Sequence, residues 1–282
     1  MKAENARETK TTLVLGGTGK TGRRVVERLN TRGLPVRVGS RSGAPPFDWE
    51  DEATWAPALR DVESVYVSYY TDLAVPGAVP VVRSFAELAV KSGVRKLVLL
   101  SGRGEEEAQR AELAVQEVDD EATIVRCSWF SQNFSESYLL EPILAGEVAL
   151  PARNVPEPFV DADDIADVAV AALTEDGHGG RLYELTGPRL LTFSEAVGEI
   201  AEAADREVRY VPVSVEQYAA MLAEHGVPAK FVGLLIYLFS EVLDGRNAYQ
   251  ADGVQRALGR EPREFADYAR DAAATGVWHS RR

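Results

Sequence analysis

The chain of 282 residues is 45% apolar and has a formal net charge of −13 at pH 7. This length and composition suffice for a sizeable core, and the acidity makes nucleic acid an unexpected partner. The single cysteine, Cys127, excludes an internal disulfide and fits a reducing cytoplasm, and three scattered histidines predict no metal site. Residues 1–10 form a polar tail without a signal core, and the apolar run 231–243 is too short to span a bilayer. We therefore expect a cytoplasmic protein that does not enter the membrane.

The first predicted element is a short strand that leads into a glycine-rich turn and a helix. Three glycines spaced G-x-x-G-x-x-G follow the apolar run Leu13–Leu15. Glycine permits the unusual φ of such a turn and lets the backbone approach a pyrophosphate, which the N–H groups of the next helix can bind. The phosphate loop of an NTPase does not fit, because Val14 stands where that loop needs a glycine. The turn predicts a dinucleotide site with these candidate residues: Gly16, Thr18, Gly19, Lys20, Thr21 and Gly22.

Strands and helices then alternate along the chain. The strands are mostly continuous apolar runs with short connections, which indicates a parallel sheet covered on both faces. The predicted strands are Thr12–Leu15, Val36–Gly39, Ser64–Ser68, Lys96–Ser101 and Thr123–Arg126, and the predicted helices are Lys20–Arg32, Thr54–Leu59, Val79–Ser92 and Glu105–Val118. Ligands of such sheets bind beyond the carboxyl ends of the strands, which makes Ser68 a further cofactor-binding candidate.

The part of the chain after residue 150 is less regular. We predict helices at Asp164–Glu175, Phe193–Ala204, Ser214–Glu224, Pro228–Leu243, Asp252–Leu258 and Pro262–Ala274, and strands at Arg181–Leu185 and Val208–Val213. Pro212 would confine the last strand to an edge. The predicted fold class is α/β: a Rossmann-type doubly wound parallel sheet over residues 11–150, with a small, mostly helical substrate lobe over residues 151–282. No linker separates the two parts, so we expect a single compact unit.

Four further segments carry recognisable motifs. They are Asp48–Trp55 (D-x-x-D-x-x-T-W), Leu99–Gly102 (L-L-S-G), Arg126–Asn133 (R-x-x-W-F-x-x-N) and Phe159–Ala166 (F-V-D-x-x-D-I-A). With the glycine turn, they make the chain resemble the NmrA-like, NAD(P)-binding kind of atypical short-chain dehydrogenase, although Trp55 replaces the leucine of the family's first motif. The resemblance implies a Rossmann fold and suggests Asp48 as a contact for the adenine amino group; a turn or cap role is the alternative. It leaves the activity open, because the family contains reductases and catalytically silent redox sensors.

The end of the second predicted strand bears on the choice of cofactor. A site for NAD usually places a carboxylate there to hold the ribose 2′-OH, but the chain has no acid between Pro35 and Phe47. It has Arg41 flanked by Ser40 and Ser42, and guanidinium and hydroxyl groups suit a 2′-phosphate. The prediction is NADPH, with a solvated surface arginine as the alternative.

The proton donor of ordinary short-chain dehydrogenases is missing. These enzymes use a tyrosine whose pKa is lowered by a lysine four residues later. No tyrosine of this chain has such a lysine, and neither residue type occurs between Leu97 and Ser137. Hydride transfer can still proceed to a quinone, or to a ketone with a neighbouring hydroxyl, because such acceptors stabilise the developing oxyanion themselves. We therefore expect that no side chain is an indispensable acid.

Polar residues after the fourth strand are the first site candidates. Ser101 could contact the cofactor and donate to the oxyanion, or it could cap the next turn. Arg103 could hold a polar substrate, or it could form a surface ion pair with Glu105 or Glu106. Glu112 is interpreted as part of a solvated helix face.

The segment after the fifth strand supplies the remaining candidates. Trp129 and Phe130 could stack on the nicotinamide or an aromatic substrate, or they could be plain core aromatics. Gln132 is a candidate substrate contact. Asn133 is a catalytic candidate along with Ser101, or it could only cap the following helix.

Together these patterns predict an NADPH-dependent reductase of a quinone or of an aromatic or polyketide-type ketone. The alternative is a non-catalytic NADP(H)-binding regulator whose lobe docks a protein. The expected partner is a hydrophobic or aromatic small molecule, and the protein is expected to be a monomer or homodimer. The dense apolar stretch 231–239 could form a lid, a dimer face or a helix buried in the lobe.

Overall fold

The computed structural model describes residues 11–279, so the predicted polar tail 1–10 lies outside the described residues. The strands are β1 Thr11–Leu15, β2 Val36–Gly39, β3 Val62–Val67, β4 Lys96–Gly102, β5 Thr123–Cys127, β6 Glu147–Leu150, β7 Leu182–Leu185 and β8 Arg209–Pro212. The helices are α1 Gly22–Thr31, α2 Trp55–Ala58, α3 Ala78–Lys91, α4 Glu106–Val118, α5 Asn133–Glu136, α6 Leu140–Ala145, α7 Ala162–Thr174, α8 Phe193–Ala203, α9 Val215–Glu224, α10 Ala229–Tyr237, α11 Gly253–Leu258 and α12 Phe265–Ala274.

Six strands form the parallel sheet that the apolar runs predict, in the order β2-β1-β3-β4-β5-β7. Strand β1 is the point at which the strand order reverses, and it pairs in parallel with β2 on one side and with β3 on the other. Its residues Leu13, Val14 and Leu15 are fully buried, as expected for a strand covered on both faces. The predicted α/β, Rossmann-type fold class is confirmed.

The described residues divide into two compact units that interleave along the chain. Unit 1 comprises residues 11–101, 110–125 and 166–182, and unit 2 comprises residues 102–109, 126–165 and 183–279. The sequence-based division has one boundary at residue 150, whereas the chain passes between the units several times. The substrate-binding role expected for residues 151–282 stays a prediction.

Three short elements of unit 2 were not predicted from the sequence, namely α5, α6 and β6. Strand β6 pairs in parallel with β8 in a separate two-stranded sheet, so β8 is an edge strand, as Pro212 requires. These elements have only four to six residues each. Such lengths are too short for a hydrophobic period to show.

Unit 2 has an aromatic core of its own. Phe134, Phe159, Phe193 and Phe239 are buried in it, with ring centroids of neighbouring pairs 5.0–6.0 Å apart. The dense apolar stretch 231–239 forms α10 and the start of a π-helical turn, and it buries Leu235 and Phe239 while leaving Phe231 37% exposed. No helix among the described residues is long and apolar enough to cross a membrane.

Candidate functional site

The glycine turn between β1 and α1 has the features of a phosphate-binding loop. Gly16 has φ +65°, and its carbonyl accepts a hydrogen bond of 2.8 Å from the Gly19 amide. A Cβ on Gly22 would lie 2.2 Å from the Gly16 carbonyl oxygen, so this glycine lets the helix pack against the turn. Gly16, Thr18 and Gly19 are exposed, and a Cβ on Gly19 would meet only the Gly16 oxygen, at 3.2 Å. The turn is therefore an open cradle of backbone N–H groups at a helix N-terminus, which fits a pyrophosphate.

Two other predicted cofactor residues lie against this turn. Ser68 follows β3, and a Cβ on Gly16 would lie 3.2 Å from its Oγ. Thr21 differs from the exposed residues Gly16, Thr18 and Gly19, because its side chain is buried and its Oγ1 accepts a 2.9 Å hydrogen bond from the Tyr66 hydroxyl. The Thr21 hydroxyl thus joins the start of α1 to β3, and its backbone N–H and its own O–H remain candidate phosphate ligands.

The end of β2 presents a cation with adjacent hydroxyl groups. Arg41 is exposed and forms no hydrogen bond or ion pair with any residue in 11–279. The Oγ atoms of Ser40 and Ser42 lie 3.4 Å apart on either side of it. This arrangement leaves the guanidinium available to a phosphate group, as the sequence predicts for a 2′-phosphate.

Asp48 organises a turn within its motif. Its Oδ1 accepts from the Glu50 amide at 3.1 Å, and its carbonyl accepts from Trp55 Nε1 at 2.8 Å. Thr54 Oγ1 accepts from the Asp48 amide at 3.0 Å. The residues of the motif D-x-x-D-x-x-T-W therefore stabilise their own turn through hydrogen bonds to one another. The adenine contact of Asp48 suggested by the resemblance stays a prediction.

Ser101 is held by a partner that the sequence analysis dismissed. Its Oγ donates a 2.6 Å hydrogen bond to Glu112 Oε1, and both residues are buried. The interpretation of Glu112 as part of a solvated face is wrong, because this residue is only 2% exposed. Glu112 lies on the buried face of α4 with Ala108, Ala111 and Val115, so the signal in the sequence was an acid within this apolar face.

Gln132 links two parts of unit 2. Its Nε2 donates to Asp161 Oδ1 at 2.7 Å, and its Oε1 accepts from the Ala162 amide at 2.7 Å, at the start of α7. Arg263 Nη1 also donates to Asp161, at 2.7 Å. Both ends of this buried amide are thus used within the protein, and only its second N–H and the second lone pair of its oxygen remain for a substrate contact.

Arg103 is buried, so the alternative of a surface ion pair with Glu105 or Glu106 is wrong. Its Nε lies 2.6 Å from Glu184 Oε1, and its Nη1 donates to the Asn247 carbonyl at 3.0 Å. Its guanidinium carbon lies 4.0 Å from the centroid of the Tyr249 ring. Nη2, however, is buried without a hydrogen-bond partner in residues 11–279.

Glu157 is a candidate functional residue that was not predicted from the sequence. It is fully buried, and neither carboxyl oxygen has a hydrogen-bond partner among the described residues. Burial raises its pKa from 4.5 to about 8, against the opposing effect of the nearby Arg103 charge. The available signal was its position as an acid inside the otherwise apolar run Val155–Val160.

The aromatic candidates lie on the core of unit 2. The Trp129 ring centroid is 4.9 Å from that of Phe239 and 5.1 Å from that of Phe193, and the residue is only partly buried. Phe130 forms a bridge with Val160. Asn133 is the first residue of α5 rather than its N-cap, which is Gln132. The stacking and catalytic roles of these residues stay predictions.

Comparison with known proteins adds relatives along nearly the whole chain, although no family model matches. An uncharacterized oxidoreductase of Bacillus subtilis is 31% identical over 95% of this chain and 96% of its own length. An agroclavine dehydrogenase of Claviceps fusiformis is 32% identical over 93% of this chain and 96% of its own. The chain belongs to the NmrA-like atypical short-chain dehydrogenases. It is an oxidoreductase of this family.

Solved structures share the fold. An NADPH-dependent quinone oxidoreductase from Escherichia coli, complexed with NADPH, has a TM-score of 0.75 at 20% identity and covers 92% of this chain and 98% of its own. The negative transcriptional regulator NmrA has a TM-score of 0.71 at 16% identity over 96% of this chain and 99% of its own. The same family fold therefore occurs in proteins named as an enzyme and as a regulator. Within residues 11–279 no cluster of three metal-ligating side chains occurs.

Proposed function

We propose that the protein is an NADPH-dependent reductase of quinones or of aromatic or polyketide-type ketones. NADPH would supply the hydride, and the residues of this chain would bind the cofactor and the acceptor. The glycine turn fits the pyrophosphate, since Gly16 and Gly19 leave an exposed cradle of amides before α1.

The observation that favours NADPH over NADH is the exposure of Arg41 and its lack of a partner among residues 11–279. The side chain is exposed, lies between two serines in the sequence and has no partner among residues 11–279. A 2′-phosphate satisfies such a guanidinium with charge-assisted hydrogen bonds, whereas the 2′-hydroxyl of NADH does not. The Escherichia coli quinone oxidoreductase that shares the fold is NADPH-dependent and was solved in complex with NADPH.

The acceptor class follows from the missing tyrosine and lysine. An acceptor that stabilises negative charge on its own oxygen needs less help from an acid, which favours quinones and conjugated aromatic ketones. The partly exposed Trp129 offers a ring face in unit 2 for such a flat molecule.

The test is steady-state oxidation of NADPH and of NADH, measured by absorbance, with 1,4-naphthoquinone and with a hydroxylated aromatic ketone as acceptors. We expect turnover of at least one acceptor, with NADPH strongly preferred. The Gly19→Val protein is the matched control for oxidation that does not need the cofactor site. If NADPH binds but no quinone or aromatic ketone is reduced, the regulator function replaces this proposal.

A further inference from the structure

Two buried groups of unit 2 lack the partners that their chemistry requires. Within the part of the chain that the structure describes, the fully buried Glu157 has no hydrogen bond at either carboxyl oxygen, and Nη2 of the buried Arg103 has no partner either. Native proteins pair nearly all such groups, because an unpaired buried polar group costs free energy. Unpaired groups of this kind point to a ligand that supplies the missing acceptor.

The charges around Glu157 decide which form it takes. Among residues 11–279, Arg103 is the charged group that acts on it, and the charge of Arg103 is itself balanced by Glu184 at 2.6 Å. Glu184 is in turn 3.6 Å from Arg126. Burial dominates and raises the pKa of Glu157 to about 8, so the carboxyl group is mostly protonated at pH 7. Glu157 and Arg103 Nη2 are then both hydrogen-bond donors in need of an acceptor.

Both residues lie where β5 ends. The Arg103 amide donates to the Cys127 carbonyl at 2.9 Å, at the last residue of that strand. Pro158, next to Glu157, accepts a 2.5 Å hydrogen bond from Ser128 Oγ, one residue beyond the strand. The carboxyl ends of parallel strands are where ligands of this fold class bind.

We propose that Glu157 and Arg103 Nη2 form an oxyanion site that binds the carbonyl oxygen of the acceptor, with Glu157 as the proton donor of the reduction. This inference rests on the proposed function. It replaces the sequence-based expectation that no side chain is an indispensable acid, because it names an acid where the usual tyrosine is missing. Two preorganised donors in a dry site stabilise developing negative charge far better than water does. A carboxylic acid kept neutral by burial is suited to this role.

The balance of the step is simple. A hydride adds to the acceptor with its two electrons, and the carbonyl π bond opens so that the oxygen gains negative charge. The O–H bond of Glu157 breaks and its proton goes to that oxygen, which gives the alcohol or hydroquinone. Glu157 is left as a carboxylate beside Arg103 until solvent returns a proton.

The first test is Glu157→Gln, which keeps an N–H donor but cannot release a proton at neutral pH. We expect kcat with 1,4-naphthoquinone or a hydroxylated aromatic ketone to fall about a hundredfold or more. In the unsubstituted protein kcat should fall as pH rises through about 8, and this decline should disappear in the variant. The matched control is Glu199→Gln, whose carboxylate is paired with Arg189 at 2.7 Å and which should keep the normal pH profile.

The second test needs no NADPH. Binding of 1-naphthol, whose ionised form is a stable aromatic oxyanion, is followed by its fluorescence in the unsubstituted protein and in Glu157→Met. We expect the variant to melt at the same or a higher temperature, because an unpaired buried acid is gone, and to bind 1-naphthol about tenfold more weakly.

Each outcome separates this inference from the proposed function. A normal kcat and pH profile in the Glu157→Gln protein would refute the role of Glu157 as proton donor. Equal 1-naphthol binding by the Glu157→Met protein would refute it as well. Failure of 1-naphthol to bind the unsubstituted protein overturns the oxyanion site. If no acceptor is reduced, the reductase function fails, and the 1-naphthol arm still decides the site. If Glu157→Met does not fold, the kinetics of Glu157→Gln decide.

Discussion

At the scale of single residues, exposure and partners distinguish the groups that are available to ligands. Arg41 is exposed with no recorded partner among the described residues, whereas the Ser101 hydroxyl and the Gln132 amide are buried and hydrogen-bonded to other side chains. A residue of the first kind can lose its side chain at little cost to folding. One of the second kind cannot, because its partner is left buried and unpaired.

Arg41→Ala should therefore act on binding and not on stability. A charge-assisted hydrogen bond is worth on the order of 1.5–3 kcal/mol, so NADPH should bind roughly tenfold or more weakly. NADH should bind nearly as before. The measurement is titration of each nucleotide by protein fluorescence, with Arg83→Ala as the control, since that arginine is exposed and paired with Glu117. Equal affinities of the unsubstituted protein for the two nucleotides would refute the assignment.

Gln132→Ala should act on stability. It leaves the Ala162 amide without its acceptor and removes one donor from the buried Asp161 carboxylate. The free energy of unfolding should fall by roughly 2–4 kcal/mol, as expected for two broken buried hydrogen bonds, one of them to a charged group. Urea titration measures it, and Gln255→Ala, at an exposed position of α11, is the control. If the two variants prove equally stable, the bridging role is refuted.

At the scale of elements, the strand–turn–helix unit at β1 and α1 combines two different uses of glycine. Gly22 is required by packing, because a Cβ there would overlap the Gly16 carbonyl at 2.2 Å. Gly19 is exposed and has nearly open space around its Cβ position. Only the second glycine borders the space where a pyrophosphate would lie.

Gly19→Val and Gly22→Ala should therefore fail in different ways. Gly19→Val should stay folded with a near-normal melting temperature and lose affinity for both NADPH and NADH. Gly22→Ala should melt at a clearly lower temperature, because its methyl group pushes α1 off the turn. Thermal melts and nucleotide titrations on both variants measure this. Normal nucleotide affinity in a folded Gly19→Val protein would place the phosphates elsewhere.

The same contrast shows what a sequence can predict here. The glycine spacing and the apolar run Leu13–Leu15 are local patterns, so they predicted β1, the turn and α1. The hydrogen bonds from Ser101 to Glu112 and from Gln132 to Asp161 join residues 11 and 29 positions apart. No local period encodes such partners, and the sequence analysis read Gln132 as a ligand contact for that reason. Glu157 was missed because its burial depends on the packing of unit 2.

At the scale of the whole molecule, the buried acid makes the stability of the protein depend on pH. The pKa of Glu157 is raised to about 8 in the folded protein from 4.5. Between these values the unfolded chain releases its proton while the folded protein keeps it. The contribution of this residue to stability therefore falls as pH rises from 4.5 to about 8, by a total on the order of 3–5 kcal/mol.

Glu157→Gln should remove this dependence. The variant and the unsubstituted protein should differ little in unfolding free energy near pH 4.5. The variant should gain in relative stability as pH rises, with no further gain above about pH 8. Urea titrations at a series of pH values measure the difference. A constant difference across this range would show that Glu157 titrates normally in the folded protein.

The central claim, hydride transfer from NADPH to an aromatic acceptor, is tested most directly by a single turnover. Protein loaded with one equivalent of NADPH is mixed with excess 1,4-naphthoquinone without oxygen, and the absorbance of reduced nicotinamide is followed. The account predicts full loss of that absorbance with one equivalent of hydroquinone formed, and no enzyme-dependent loss with Gly19→Val. Persistence of bound NADPH in the presence of the quinone and of aromatic ketones would contradict it.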